Sequence, residues 1–520
     1  MWGRGYRDEV WSRIEGPWDL VIVGGGITGA GILAEAARMG KRALLVEARD
    51  FSSGTSSRST KLVHGGLRYL RQAQVKVTRE SVLERERLLR EAKGLVTPLG
   101  FYLTTFENDT MPGWMFGVGL AVYDLIAMKW AHERFRVEEL LAKLPPLAGA
   151  KVKGGYRYFD AQTDDSRLTI RVIREAVRRG GTALNHAPAI GLLRTADRRV
   201  RGIVVRDEAT GRTAEVRSKI VINATGAWAD DLRGRLGMPA RLRPIRGSHL
   251  IFPRDRLPID EAVSMLHPRD ERAVFAVPWE GIVLFGTTDV DHGDPMDVEP
   301  AIAANEVEYL LEAVRHAFPQ ADLGEKDIRA TWAGVRGVIN TGASDPAKES
   351  REHALWHEDG LVTVTGGKLT TFRMMALETL EAVGIYGLRD QILDAPDGVA
   401  LDERLDAAAR IRLLGRYGTE APAVLAAGGE NGDPFATIGD SPNLWAELRW
   451  SARNEAILHL DDLLLRRVRL GLLLEGGGQP LLARIRRVVQ PELGWDDARW
   501  VAEEQRYREI WSRAYGTTFA

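Results

Sequence analysis

Three glycines at fixed spacing, Gly24-x-Gly26-x-x-Gly29, follow the apolar run DLVIV at 19–23 and open AGILAEAARMG at 30–40, whose apolar residues recur at helical spacing. A second apolar run, RALLVEA at 42–48, closes a βαβ unit of about 30 residues. In such a unit the first glycine makes a tight turn, the second lets backbone approach a pyrophosphate, and the third permits close helix packing. The helix N-terminus adds unpaired N–H groups and partial positive charge for the phosphates, with Thr28 at its first turn. Glu47, at the end of the second strand, can accept hydrogen bonds from both ribose hydroxyls of a dinucleotide, and it repels a 2′-phosphate. This chemistry disfavours NADP and leaves NAD and FAD unseparated. A hydroxyl-rich stretch follows directly, DFSSGTSSRSTKLVHGGLRYL at 50–70, too polar for a core and rich in donors for an extended cofactor.

The elements that must position these groups are legible in outline. A charged helix is expected over 75–93, with Val82, Leu83, Leu88 and Leu89 on one face. KIVINATG forms a strand ending at Gly226, and from Leu242 onward RGSHLIFP, ERAVFAVPW and GIVLFGTTD read as strands, the last two joined by a turn at Glu280-Gly281. A helix over 305–318 follows, then IRATWAGVRGVI, then a second hairpin turning at Asp359-Gly360 and a strand-to-helix junction at Gly366-Gly367. Beyond about residue 390 the pattern is helical to the end, with turns at Gly428-Gly429 and at 476–478.

At 520 residues the chain exceeds what one hydrophobic core supports, so two or three domains are expected. Lys+Arg (71) and Asp+Glu (72) nearly cancel, leaving no basic field for nucleic acid. Cysteine is absent, which excludes disulfides, thiolate metal sites, iron–sulfur clusters and cysteine nucleophiles. The histidines show no metal-binding spacing, so no metal is expected; Asp461-Asp462 fits a cap or interdomain ion pair, and Arg466-Arg467-x-Arg469 is read as structural. The first 20 residues carry scattered charge and no apolar h-region, and the greasy stretch 114–128 is too short to span a bilayer. That stretch has aromatic ends and an apolar middle with Lys129, His132, Arg134 and Arg136 after it; it suits either the headgroup layer of a membrane or a buried core helix. Trp2, Trp11 and Trp18 raise the same membrane reading.

The segment GTSSRSTKLVHGGLRYL strongly resembles the stretch that identifies FAD-dependent glycerol-3-phosphate dehydrogenases, flavoproteins of the D-amino-acid-oxidase-like superfamily. The resemblance continues in order through PGWMFGVGLAVYDLIA, VINATGAWADDL, IRGSHLIFP, VPWEGIVLFGTTD, TWAGVRGVI and TGGKLTTFR, and into LLGRYGTEAP and LDDLLLRRVRLGLL. It implies an α/β fold with a Rossmann-like FAD-binding domain (15–95, 155–240 and 325–388) interleaved with a β-sheet substrate domain (96–154 and 241–324), and a C-terminal all-α domain (389–520). It implies FAD held by Gly24, Gly26, Thr28, Gly29 and Glu47, by Thr55, Ser56, Ser57, Thr60, Leu62, His64, Gly65 and Gly66, by Thr225-Gly226, and by Gly367, Lys368, Leu369 and Thr370. The implied reaction is oxidation of sn-glycerol 3-phosphate at C2 to dihydroxyacetone phosphate, with hydride transfer to flavin N5. A phosphate dianion needs always-charged forks or an ammonium, and the cations at matching positions are Arg68, Arg336, Arg351 and Lys368, with Tyr69 beside them. Gly337 stands where the family pattern has Pro and Glu352-His353 follow Arg351 atypically, so the aim of both arginines is left open. His64 is the preferred general base, its alternative role being to orient the flavin. Electrons then pass to a membrane quinone, or to oxygen in an oxidase branch, on an enzyme resting on the inner face of the cytoplasmic membrane; a homodimer stays open. An oxidase of a D-amino acid, sarcosine or a 2-hydroxy acid would need one carboxylate-binding arginine rather than a multi-cation clamp, and a non-catalytic flavoprotein would keep the glycines and lose the clamp.

Overall fold

The computed structural model describes residues 2–66, 75–127, 131–343, 349, 352–387, 391–429 and 433–519. Among them one eight-stranded sheet runs in the order His353–Glu358, Leu361–Gly366, Thr213–Asn223, Trp18–Val23, Ala43–Val46, Thr182–Leu184, with two further strands extending Thr213–Asn223. Its centre is parallel: Val21 stands opposite Leu44 on one side and Val221 on the other. Parallel strands buried on both faces must read as continuous apolar runs, which is why DLVIV and ALLV lack alternation. The helix Ile27–Arg38 covers one face together with Asp165–Arg178 and Phe372–Glu381. Gly31 makes that packing close, because a Cβ there would lie 2.9 Å from the Phe372 ring.

The second sheet has ten strands and is mostly antiparallel. Leu242–Pro253 pairs with Ala330–Ile339 in a register that sets Ile245 against Arg336 and His249 against Trp332. Both hairpin turns fall where expected, with positive φ at Glu280 and Gly281 and at Asp359 and Gly360. Three segments pair differently from their sequence assignment: Ala330–Ile339, grouped with the FAD-binding part, lies in this second sheet, and so do Leu62–Val63 and, from residue 155 on, the strand Val152–Thr163 against which it pairs. The edge of the substrate sheet therefore reaches into the cofactor loop.

Three local expectations change. On the helix Val75–Glu91, Val82 and Leu88 are buried but Leu83 is 49% exposed, since adjacent helical positions stand about 100° apart. Trp2, Trp11 and Trp18 are buried rather than offered to a membrane; Trp2 stacks on Phe51 at 5.0 Å, and the other two join the core around the first sheet. Of the stretch 114–128, all but Met128, which lies outside the described residues, falls in the helix Gly113–Ala127, which has a buried face (Leu120, Tyr123) and an open one (Trp114 66%, Val118 56% and Leu125 75% exposed).

The C-terminal helices are joined to the rest by buried ion pairs. Arg167 grips Glu455 at 2.5 and 2.8 Å, Arg467 grips Asp50 at 2.7 and 2.8 Å, and Arg466 reaches Asp50 (2.5 Å), Asp461 (2.6 Å) and Asp462 (2.7 Å). Arg416 meets Asp164 at 3.1 Å. Asp50, Asp462 and His186 lie close enough to share an ion, but both carboxylates are already neutralised by these arginines. Burial alone would raise the pKa of Glu455; Arg167 and Arg174 outweigh it and hold it at about 2. A carboxylate with a depressed folded-state pKa contributes stability that is complete above its unfolded value and is lost as pH falls toward the folded one. Arg167→Met, which removes the bidentate partner and leaves Arg174, is expected to cost about 3–5 kcal/mol in urea unfolding at pH 7. The deficit should shrink as acidification protonates Glu455 in the variant and should be gone near pH 2, where the wild-type carboxylate also titrates.

Candidate active site

Between the two sheets lies a cavity of 1410 Å³, larger than an ordinary small-molecule pocket. At its floor Gly24 has φ +117°, and a Cβ there would sit 2.5 Å from the Ala224 carbonyl oxygen. Gly29 lies behind this turn, where a Cβ would come within 1.9 Å of the Gly24 oxygen, so its part is to close the turn rather than to line the cavity. Gly26 caps the helix, whose Ile27 N–H donates to Ser56 Oγ at 2.9 Å. Glu47 lines the floor and accepts from the Gly25 and Arg49 amides at 2.6 and 2.8 Å; burial raises its pKa despite those two bonds.

The hydroxyl-rich loop forms one wall. Thr55, Ser56, Thr60, Leu62, His64 and Gly66 line the cavity, as do Thr28, Thr225, Gly226, Gly367, Lys368, Leu369 and Thr370. Ser57 and Gly65 stand behind the wall: the Ser57 carbonyl accepts from Lys61 and Arg469, and the Gly65 amide donates to the Tyr123 hydroxyl at 3.0 Å. His64 is tied through its backbone to Thr370, its N–H donating to Oγ1 at 3.2 Å. Arg68, Tyr69 and Arg351 lie outside the described residues.

Arg336 and Lys368 reach the same cavity from different sheets. The Arg336 guanidinium donates to the Thr288 carbonyl at 3.0 Å, stands 3.0 Å from Asp289 Oδ1, and lies so close over Gly247 that a Cβ there would be 2.0 Å from Nη2. Gly337 does not loosen this strand. It stays in register with Pro244, and its missing side chain admits the Gly226-Ala227 turn, whose Ala227 Cα would be 2.8 Å from a Cβ. Lys368 Nζ donates to Ser81 Oγ at 3.2 Å and follows two left-handed glycines, Gly366 (φ +76°) and Gly367 (φ +70°). This sharp corner, open to glycine without strain, turns the strand into the helix.

Sequence reasoning missed His249, Asp289 and Arg58. His249 is buried in the cavity wall, stacks on Trp332 at 5.0 Å and shares a 2.9 Å hydrogen bond with Thr60 Oγ1. Burial, then Lys61, then Arg336 push its pKa well below the ordinary histidine value, which favours the neutral imidazole. Its only sequence signal is its place in GSHLIFP, where the alternation reads simply as strand. Arg58 lines the cavity with its guanidinium paired to Glu299, which also accepts from the Tyr515 hydroxyl at 3.0 Å.

A Rossmann-type floor, an acidic residue at the end of its second strand and a second sheet closing over the channel define a dinucleotide-binding protein. Residues 19–381 match the model of the FAD dependent oxidoreductase family, and 376–500 match the C-terminal domain of alpha-glycerophosphate oxidase. The chain belongs to that oxidoreductase family, on the branch of the aerobic glycerol-3-phosphate dehydrogenases. The protein of that name from Staphylococcus epidermidis is 35% identical over 504 residues, covering 89% of this chain and 88% of its own length. Its namesake from Staphylococcus haemolyticus is 39% identical over 370 residues, 70% of this chain and 66% of that protein. The glycerol-3-phosphate dehydrogenase of Bacillus halodurans, solved with FAD, superposes with a TM-score of 0.80 at 27% identity, covering 99% of this chain and 98% of that one. FAD is the cofactor, and the floor fits it: the glycine turn leaves no room for a Cβ, and Glu47 faces the cavity with lone pairs to spare. Gly24→Ala is expected to weaken FAD binding by at least about tenfold, read as loss of the 450 nm band from the purified protein.

Proposed function

We propose that the enzyme oxidises sn-glycerol 3-phosphate at C2 to dihydroxyacetone phosphate and delivers the electrons to a membrane quinone. The observation that carries this reading is the pair of cations, Arg336 and Lys368, brought from two different sheets to one cavity beside the Gly366-Gly367 corner. A phosphate dianion is well matched by a guanidinium fork and an ammonium together; Arg68, Tyr69 and Arg351 complete this set in our reading. Asp289 and the Thr288 carbonyl hold the Arg336 fork on one side, which fixes its direction. Bound FAD supplies the hydride acceptor. The chain must hold C2 about 3–3.5 Å from that acceptor and take the C2 hydroxyl proton. His249, neutral and set in the wall, is our proton acceptor; His64, whose backbone is tied to Thr370, takes the orienting role.

The open face of the helix Gly113–Ala127 supports the quinone reading. Trp114, Val118, Val122 and Leu125 share one side at spacings of four, four and three, and Met115, Val118 and Val122 also line the cavity. An apolar path thus runs from the outer surface to the site, with Arg134 and Arg136 exposed just beyond the helix for anionic headgroups. The open apolar face with its flanking arginines is our ground for putting the enzyme on the membrane surface, at the inner face; separately, no helix among the described residues is long and apolar enough to cross a membrane.

Two measurements test these points. Arg336→Met and Lys368→Met should each lower kcat/KM for sn-glycerol 3-phosphate by about 10²-fold or more while keeping the FAD band, the loss expected when a charge-assisted contact is removed; a change below threefold in both would remove the clamp. Trp114→Ser with Leu125→Ser should lower sedimentation with phosphatidylglycerol-containing vesicles and slow turnover with a long-chain quinone, while reduction by substrate alone keeps its wild-type rate.

A further inference from the structure

Behind the wall that carries His249 lies a buried amine that no step above uses. Lys61 is fully buried and has φ +63°, a left-handed conformation that folds its side chain under the hydroxyl-rich loop. Its Nζ donates to the Ser57 carbonyl at 2.7 Å and to Asp165 Oδ1 and Oδ2 at 2.8 and 2.9 Å. The same ammonium lies 4.6 Å from the centroid of Trp332, the ring on which His249 stacks, and Thr60, its neighbour in the chain, holds His249 Nε2. Arg469, from the C-terminal helices, competes for the same acceptors, reaching the Ser57 carbonyl at 2.7 Å and Asp165 Oδ1 at 3.4 Å. Two cations thus share one buried carboxylate, with Asp164 3.7 Å from Arg469 Nε behind them.

We propose that Lys61 is a positioning residue for the oxidation: its buried ammonium, pinned by Asp165 and crowded by Arg469 of the C-terminal domain, keeps His249 a neutral imidazole and fixes its orientation through Thr60. The proposal rests on reading His249 as the proton acceptor. The charged groups facing His249 are Lys61 and Arg336; those facing Lys61 are Asp165, Asp164 and Arg469, while Trp279 and Trp332 present uncharged rings. Burial and then Arg469 bring the Lys61 amine down to about 7 against the pull of Asp165. As the solution is acidified through neutrality, the amine takes up its proton before the imidazole does, and the resulting charge opposes protonation of His249. The C-terminal domain thereby acts on the chemistry without contacting the substrate.

The test uses the FAD-loaded enzyme and its Lys61→Met and Lys61→Arg variants, with two readouts: NMR titration of histidine-labelled protein, His249 being assigned by His249→Gln, and the acid limb of kcat/KM. Lys61→Met should raise the His249 midpoint and move the acid limb upward by about one pH unit, as removal of one charge at this range in a protein interior predicts. Lys61→Arg, which keeps the charge, should leave both near wild type. A Lys61→Met enzyme that is less stable but titrates unchanged would make Lys61 a packing residue and overturn the proposal. Should Lys61→Met not fold, Lys61→Gln takes its place: it keeps a donor for Asp165 and the Ser57 carbonyl but loses the charge, so the His249 midpoint and the acid limb should rise as for Lys61→Met, whereas an unmoved limb and midpoint overturn the proposal. If His249→Gln keeps the wild-type acid limb, the assignment of the acceptor has failed, and the NMR midpoint still decides the role of Lys61.

Discussion

The loop that walls the cofactor channel rests on Asp50, a carboxylate with no exposure to water. A buried charge of this kind is tolerable only if it is paired and hydrogen-bonded, since the desolvation of an isolated carboxylate costs far more than a folded domain has to spare. Its partners, Arg466 and Arg467, come from a segment 416 residues further along the chain. The same logic repeats at Asp164, Asp165 and Glu455, each held by arginines across the boundary between the α/β core and the C-terminal helices. With those arginines absent, Asp50 at the root of the hydroxyl-rich loop would be left as a buried unpaired charge, and the Ser57 carbonyl would lose the bond from Arg469. The C-terminal domain is thus part of the cofactor site through its charges, though none of its residues lines the cavity among those described.

A second constraint is backbone proximity. The floor of the channel has three layers of main chain in contact: the Gly24 turn, the Ala224-Thr225 strand end and the start of the helix Ile27–Arg38. Hydrogen-bond register in the second sheet does the comparable work for the substrate side. Setting Ile245 against Arg336 and His249 against Trp332 brings a guanidinium, an imidazole and an indole onto one wall from strands far apart in sequence.

What could be read from the chain divides along these lines. The glycine motif, Glu47 and the turns at Glu280-Gly281 and Asp359-Gly360 were legible because each depends on a few adjacent residues whose conformational limits are intrinsic. His249 was not, because its place follows from the register of distant strands, and Arg58 and Asp289 were not, because their partners Glu299 and Arg336 come from segments far along the chain, which no local pattern encodes. Trp2, Trp11 and Trp18 show the converse: a tryptophan near a terminus serves a membrane surface or a core equally well by its chemistry, and only the packing around Phe51 and the first sheet decides. The run at 114–127 fell between its two readings because one side of its helix, Leu120 and Tyr123, packs into the core while the other stays open.

We propose that Arg336 and Lys368 hold the phosphate of the substrate so that its C2 can be oxidised by FAD. The direct test is anaerobic mixing of the purified enzyme with sn-glycerol 3-phosphate while flavin absorbance near 450 nm is followed. The account predicts rapid bleaching by this substrate and none by glycerol, with colour restored quickly by a quinone analogue and slowly by air. Bleaching by a D-amino acid or a 2-hydroxy acid, with none by glycerol 3-phosphate, would contradict it.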